Sequence, residues 1–130
     1  KFSFAIFDVD HFKTVNDTKG HLAGDQILRQ IADTIHEKID RRHLFIRYGG
    51  DEFVLLALHY DLDTMVAFCD HLRGILEQRL DGVTLSFGVS TWHGKKDRLR
   101  ALIDRADRAL YISKEKGRNT VSAENEAGAA

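Results

Sequence analysis

Two pairs of carboxylates stand where strands should end. Asp8 and Asp10 close the apolar run Phe4-Ala5-Ile6-Phe7, and Asp51 and Glu52 follow Gly49-Gly50 between two further apolar runs. Any one of these acids alone reads as an ordinary surface turn residue. If the first run and the later pair form neighbouring strands, about 4.8 Å apart, all four carboxylates converge. Like charges that close raise one another's pKa unless a cation intervenes. A small set of hard oxygens, with room left for water and phosphate, describes Mg²⁺ rather than zinc or a closed calcium cage. Gly49-Gly50 reads either as a tight hairpin turn at positive φ or as backbone left bare so that a phosphate or base can approach. Lys13 stands at the start of a helix whose first amides favour anions, and Lys114 and Arg118 are spaced four apart for one helical face. Asn16, His21 and Asp25 flank Gly20 and Gly24. They are ordinary cap and turn residues, yet together they offer an acceptor and donors to a purine edge. A carboxylate suits guanine, which presents two adjacent N–H donors, and does not suit adenine.

The elements that must position these groups follow from periodicity. Phe4–Phe7 reads as a buried strand, His11–Thr18 as a short helical turn, and Leu22, Ile27, Leu28, Ile31, Ile35 and Ile39 as the apolar stripe of a helix. Leu44–Tyr48 and Phe53–Leu58 read as a hairpin through the glycine pair. Asp61 or Asp63 can cap a helix carrying Met65, Val66, Phe68, Cys69, Leu72, Ile75 and Leu76 inward, closed by Asp81-Gly82. Val83–Ser90 alternates apolar and polar residues, as in a half-buried strand. A last helix follows Asp97, with Leu99, Leu102, Ile103, Ala106, Ala109, Leu110 and Ile112 inward, and stops at Gly117; Thr120-Val121 is a candidate edge strand. The order predicts an α+β fold, a split βαβ (ferredoxin-like, nucleotidyl-cyclase palm-like) core with helices flanking a mainly antiparallel central sheet.

With 130 residues and 19 basic against 20 acidic side chains, the chain reads as one globular domain without the basic excess that nucleic-acid binding needs. The single cysteine, Cys69, excludes a disulfide framework and a four-thiolate zinc site. No apolar run approaches the ~20 residues of a membrane span and no signal peptide is visible, so a cytoplasmic domain making no membrane contact is expected.

Read together, Arg47-Tyr48-Gly49-Gly50-Asp51-Glu52-Phe53 resembles the signature of GGDEF domains, the diguanylate cyclases. Phe7-Asp8-Val9-Asp10-His11-Phe12-Lys13 resembles the family's first-strand motif. Asn16 through Asp25 resembles its guanine-binding segment, and Ala106–Tyr111 with Lys114, Gly117, Arg118 and Asn119 its C-terminal motif. Four motifs in order outweigh the plain readings above. The resemblance implies condensation of two GTP into cyclic di-GMP with release of two pyrophosphates, by two GTP-loaded domains meeting as a homodimer. It implies Mg²⁺, with Mn²⁺ as a substitute, on Asp8, Asp51 and the Val9 carbonyl. Asp51 doubles as general base toward the 3′-hydroxyl, Glu52 supports the metal site, and Lys13 steadies the transferring phosphoryl group. Lys114 and Arg118 hold the triphosphate, while Asn16 and Asp25 read guanine and Phe12, His21 and Gly50 line the nucleotide.

Two departures stand out. The inhibitory Arg-x-x-Asp site of many members is replaced by Asp40-Arg41-Arg42-His43, so product inhibition there is expected to be weak or absent. Family domains also begin some tens of residues earlier, which predicts an N-terminally trimmed catalytic domain over residues 1–123, a flexible tail over 124–130, and a sensory or dimerisation domain in the full-length protein. The alternatives are a non-catalytic GTP- or cyclic-di-GMP-binding module of the same fold, a phosphatase built on Asp8-Val9-Asp10, and a cyclase making a mixed guanine–adenine dinucleotide. The phosphatase is disfavoured by His11-Phe12 and the mixed cyclase by Asp25.

Overall fold

The computed structural model describes residues 1–124. Its elements are β1 (Phe2–Val9), α1 (Phe12–Lys19), α2 (His21–Lys38), β2 (His43–Arg47), β3 (Glu52–Leu58), α3 (Leu62–Arg79), β4 (Leu85–Thr91), α4 (Leu99–Glu115) and β5 (Val121–Ala123). They form an α+β fold around a five-stranded sheet of order β2-β3-β1-β4-β5, antiparallel except where β5 runs parallel to β4. β1 lies at the centre, so both of its faces are covered and its side chains are buried from Ser3 onward.

Alternation along β1 divides the core. Ala5, Phe7 and Val9 face one layer with Leu28, Ile31, Ile35, Met65, Cys69, Leu72 and Leu76 from α2 and α3. Phe7 is its hub, stacked on Phe87 at 4.4 Å and Phe53 at 5.5 Å. Phe4 and Ile6 face α4 through Leu102, Ala106 and Leu110. α4 seats closely because Gly88 lies beneath it: a Cβ there would come within 2.1 Å of the Ala106 carbonyl oxygen. Asp61 caps α3 as its position suggests, its carboxylate accepting from Thr64 N at 2.8 Å.

Several expectations are corrected. β4 is buried on both faces rather than half-buried, because α3 and α4 sandwich it and its small polar residues are satisfied internally; Ser90 Oγ donates to Leu102 O at 2.8 Å. Leu22 and Leu99, expected on the apolar faces, stand in the first turns of α2 and α4 and are 74% and 62% exposed. Neither Gly49 nor Gly50 adopts a positive φ. The strands are joined by the four-residue loop Tyr48–Asp51, closed by Tyr48 N donating to Glu52 O at 2.8 Å, so no left-handed turn is required. Glu124, assigned to the tail, is buried and accepts from Thr91 N at 2.8 Å and from Arg105 Nε at 3.2 Å. Residues 125–130 of the expected tail lie outside the described residues.

Candidate active site

The end of β1 and the β2–β3 loop meet because β1 and β3 pair with Asp8 opposite Glu52, and because Val9 N donates to Asp51 O at 3.3 Å. That contact ties the loop to the strand end and holds Asp51 close enough for its charge to act on Asp8. Burial pushes the Asp8 carboxyl above its ordinary 3.8; the Lys114 ammonium, through its hydrogen bond and its charge, pulls it back, while the Asp51 and Asp10 carboxylates push it up. Lys114 Nζ donates to Asp8 Oδ2 at 2.7 Å. Glu52 folds back under Gly49, where a Cβ would stand 3.0 Å from Glu52 Oε2.

The expected convergence of four carboxylates is corrected at Asp10. Its Oδ1 accepts from Ser86 Oγ at 2.7 Å, and its Oδ2 accepts from Thr84 Oγ1 at 2.7 Å and Asn119 N at 3.0 Å. Asp10 is therefore saturated by β4 and the α4–β5 turn. Among the described residues no group of three His, Cys, Asp or Glu side chains gathers tightly enough to hold a metal unaided. Asp8 is buried and ion-paired through Oδ2, with Oδ1 left unpaired, and Asp51 and Glu52 are half-buried in the adjoining loop.

Among the described residues two buried side-chain oxygens lack a hydrogen-bond partner, Asp8 Oδ1 and Asn16 Oδ1. Both belong to residues that the sequence placed in the site. Buried polar atoms are nearly always paired, so these two oxygens stand out in the fold. Asn16, on α1, lies over Gly24 of α2, where a Cβ would come within 2.0 Å of its Oδ1 and 3.2 Å of Phe12 Cζ. The next residue, Asp25, lines a cavity of about 500 Å³ with Leu28, Arg29, His36, Phe45 and Arg47, of a size that suits a small ligand. The fold thus places Phe12 and Asn16 against Gly24, next to Asp25, at the α1–α2 contact, and Asp8, Val9, Asp51, Glu52 and Lys114 together at the end of β1.

Three expected residues are placed otherwise or more loosely. Lys13 is exposed on α1 and pairs with Asp17 at 3.6 Å, and His21 is exposed at the first position of α2. Arg118 does not share a helical face with Lys114: α4 ends at Glu115, and Arg118 stands in the following turn at φ 67°. Arg47 was named only as part of a motif, yet it braces the loop by donating from Nε to Gly49 O at 3.2 Å and from Nη2 to Gly50 O at 2.6 Å. Its position two residues before the glycine pair was the available signal.

A mainly antiparallel sheet whose central strand and hairpin loop set Asp8 and Asp51 side by side defines an α+β domain with an acidic strand end. The sequence matches the family described as "Diguanylate cyclase, GGDEF domain" over residues 1–120, and the chain belongs to that family. It is 40% identical over 129 residues to the diguanylate cyclase VdcA of Vibrio cholerae, covering 92% of this chain and 38% of that protein. It is 35% identical over 127 residues to diguanylate cyclase A of Treponema denticola, covering 92% of this chain and 34% of that protein. The chain therefore spans little more than a third of either relative. Among solved structures, the GGDEF domain of DgcB from Caulobacter crescentus in complex with c-di-GMP superposes with a TM-score of 0.89 at 32% identity, over 95% of this chain and 78% of that one. The active GGEEF domain of a Vibrio cholerae diguanylate cyclase gives 0.87 at 28%, over 95% and 82%.

Proposed function

We propose that this domain is a diguanylate cyclase, joining two GTP into cyclic di-GMP with loss of two pyrophosphates. The observation that carries the reading is the pair of unpartnered buried oxygens, Asp8 Oδ1 and Asn16 Oδ1, each on a residue of a family motif. Asp8, whose Oδ1 is unpaired, Asp51 and the Val9 carbonyl would hold Mg²⁺, a hard cation that takes oxygen ligands. Bound there, the ion would neutralise charge at the transferring phosphorus and lower the pKa of a hydroxyl. Mn²⁺ can substitute.

The chain's own residues bind and orient. Asn16 and Asp25 pair with the guanine edge, and Phe12, His21 and Gly50 border the nucleotide. Lys114, which donates to Asp8 in the free domain, and Arg118 hold the triphosphate oxygens. Lys13 counters charge gathering on the phosphoryl group. Asp51 accepts the proton of the attacking 3′-hydroxyl, and Glu52 keeps the loop acidic beside it. Such chemistry is chiefly positioning and electrostatics. One site holds one GTP, so closing a two-fold dinucleotide needs two copies facing each other. The relatives' greater length agrees with a flanking sensory or dimerisation domain, and a solved DgcB relative carries a coiled coil beside its GGDEF domain. Within the described residues no helix is long and apolar enough to cross a membrane, in keeping with a cytoplasmic domain.

The segment Asp40–His43 supports weak product inhibition. Asp40 accepts from Arg42 Nη2 at 2.8 Å and lies 3.2 Å from His43 Nδ1, so Arg42 and His43 both turn toward Asp40, and His43 Nε2 meets Tyr60 Oη at 3.1 Å. The test is incubation with GTP and MgCl₂ followed by chromatography. The chain makes cyclic di-GMP at a rate per molecule that rises with its concentration, and Asp51→Ala makes none above about 1% of that. GTP bound but left unconverted by the parent chain overturns the cyclase reading in favour of a binding module.

A further inference from the structure

Three consecutive residues after α4, Gly117, Arg118 and Asn119, have positive φ values of 110°, 67° and 49°. The helix ends as a Schellman motif, with Arg118 N donating to Ser113 O at 3.0 Å and Gly117 N to Lys114 O at 3.3 Å. That motif calls for one left-handed residue, which Gly117 provides. It does not call for Arg118 and Asn119 to follow it. Left-handed conformations at non-glycine residues persist where surrounding contacts over-determine them.

Here those contacts come from three elements far apart in sequence. The Asn119 side chain accepts from Arg73 Nη1 at 2.8 Å and donates from Nδ2 to Glu77 Oε2 at 2.8 Å. Arg73 is itself anchored, donating from Nε to Asp70 Oδ1 at 2.8 Å and from Nη1 to Glu77 Oε1 at 3.2 Å, and it is only 19% exposed. The Asn119 backbone N–H donates to Asp10 Oδ2 at 3.0 Å and to Ser86 Oγ at 3.1 Å. Asp10 thus links two elements: two residues from Asp8, it accepts from Thr84 and Ser86 and, through Oδ2, from the turn that carries Arg118.

We propose that Asn119, clamped by Arg73 and Glu77 of α3 and by Asp10 at the end of β1, is a positioning residue that sets the left-handed turn from which Arg118 reaches the phosphates of the nucleotide. The inference rests on the GTP-binding reading above. An amide is required because the side chain must accept from a guanidinium and donate to a carboxylate at once. Aspartate is nearly isosteric and keeps the first contact, but it sets a carboxylate against Glu77.

The test measures GTP affinity by calorimetry and the KM for GTP, with circular dichroism and thermal melts in parallel. Asn119→Asp weakens GTP binding about tenfold, roughly the worth of one charge-assisted hydrogen bond at the phosphates. It raises KM more than it lowers kcat. Glu77→Gln in the same chain restores a donor opposite the new carboxylate and recovers most of the loss. In an Arg118→Ala background Asn119→Asp adds nothing, because the clamp acts through Arg118. If Asn119→Asp fails to fold, Arg73→Gln, which removes the guanidinium from Asn119 Oδ1, carries the same expectations. Additive losses in the Arg118→Ala background, or wild-type GTP affinity in a folded Asn119→Asp chain, overturn the clamp and leave the cyclase reading standing. A parent chain that binds no GTP overturns both.

Discussion

Gly24→Ala is the smallest change that separates the site from the fold. A methyl at this position would stand 2.0 Å from Asn16 Oδ1. A relaxed carbon–oxygen contact needs about 3.3 Å, so the amide must retreat by more than about 1 Å. The obstructing atom is the far end of a side chain, which can turn aside without moving either helix. Alanine in a helix interior contributes about 1 kcal/mol over glycine, and a displaced rotamer costs about 0.5–1.5 kcal/mol. These nearly cancel, so the melting temperature is expected to move by no more than about 5 °C. Binding has no such compensation. Asn16 loses its hydrogen-bonding position toward the base, about 1–3 kcal/mol, or roughly tenfold to a hundredfold in the Kd for GTP. Titration calorimetry with GTP and with ATP in MgCl₂ reads both the loss and the narrowing of the guanine preference. GTP affinity unchanged in Gly24→Ala would mean that Asn16 does not face the base, and the assignment of that end of the site fails.

Two further outcomes follow from the same geometry. Because burial holds the folded-state pKa of Asp8 above 3.8, its ionised form subtracts stability at neutral pH, and that cost fades as pH falls through the raised pKa toward 3.8. In metal-free buffer Asp8→Asn is therefore more stable than the parent chain at pH 7 in thermal melts, with the gap closing near pH 4; a gap that widens on acidification refutes the assigned cause. Cyclic di-GMP added during turnover is expected to compete with GTP and do nothing more, and a non-competitive component abolished by Arg41→Ala or Arg42→Ala would show that the Asp40–His43 segment does bind product.

What the sequence revealed and what it hid divide along chain distance. A strand ending in Asp8 and a hairpin bearing Asp51 are local features, and antiparallel pairing does the rest, so their meeting was legible. The α+β order was legible for the same reason, since each element carries its own periodicity. The Lys114–Asp8 contact spans 106 positions and the Arg73–Asn119 contact 46, and nothing in local pattern announces either. Gly24 reads as an indifferent helix position until Asn16 is seen lying on it. Arg118 was misplaced because a spacing of four implies a shared face only while the helix continues, and α4 ends at Glu115.

Asp8 and Asp10 show why residue type could not decide function at this site. The two are identical side chains two positions apart at one strand end, both more than nine-tenths buried. Sequence alone offers them equally as ligands. Their difference lies in β4 and the turn before β5: Thr84, Ser86 and Asn119 supply Asp10 with three donors, while Asp8 receives one, from a lysine able to leave. A carboxylate saturated by neutral donors loses little on burial and gains little from a cation, whereas one left with an empty lone pair and a raised pKa favours any cation that can reach it. The neighbours therefore make Asp10 a structural tie and leave Asp8 with one oxygen unpaired, which is why the proposed binding role falls to Asp8. Asn16 Oδ1 is the other buried oxygen left without a partner, and it fits there because Gly24 carries no Cβ to collide with it. A buried polar atom that the fold leaves unpaired gains more from an added donor than one already satisfied.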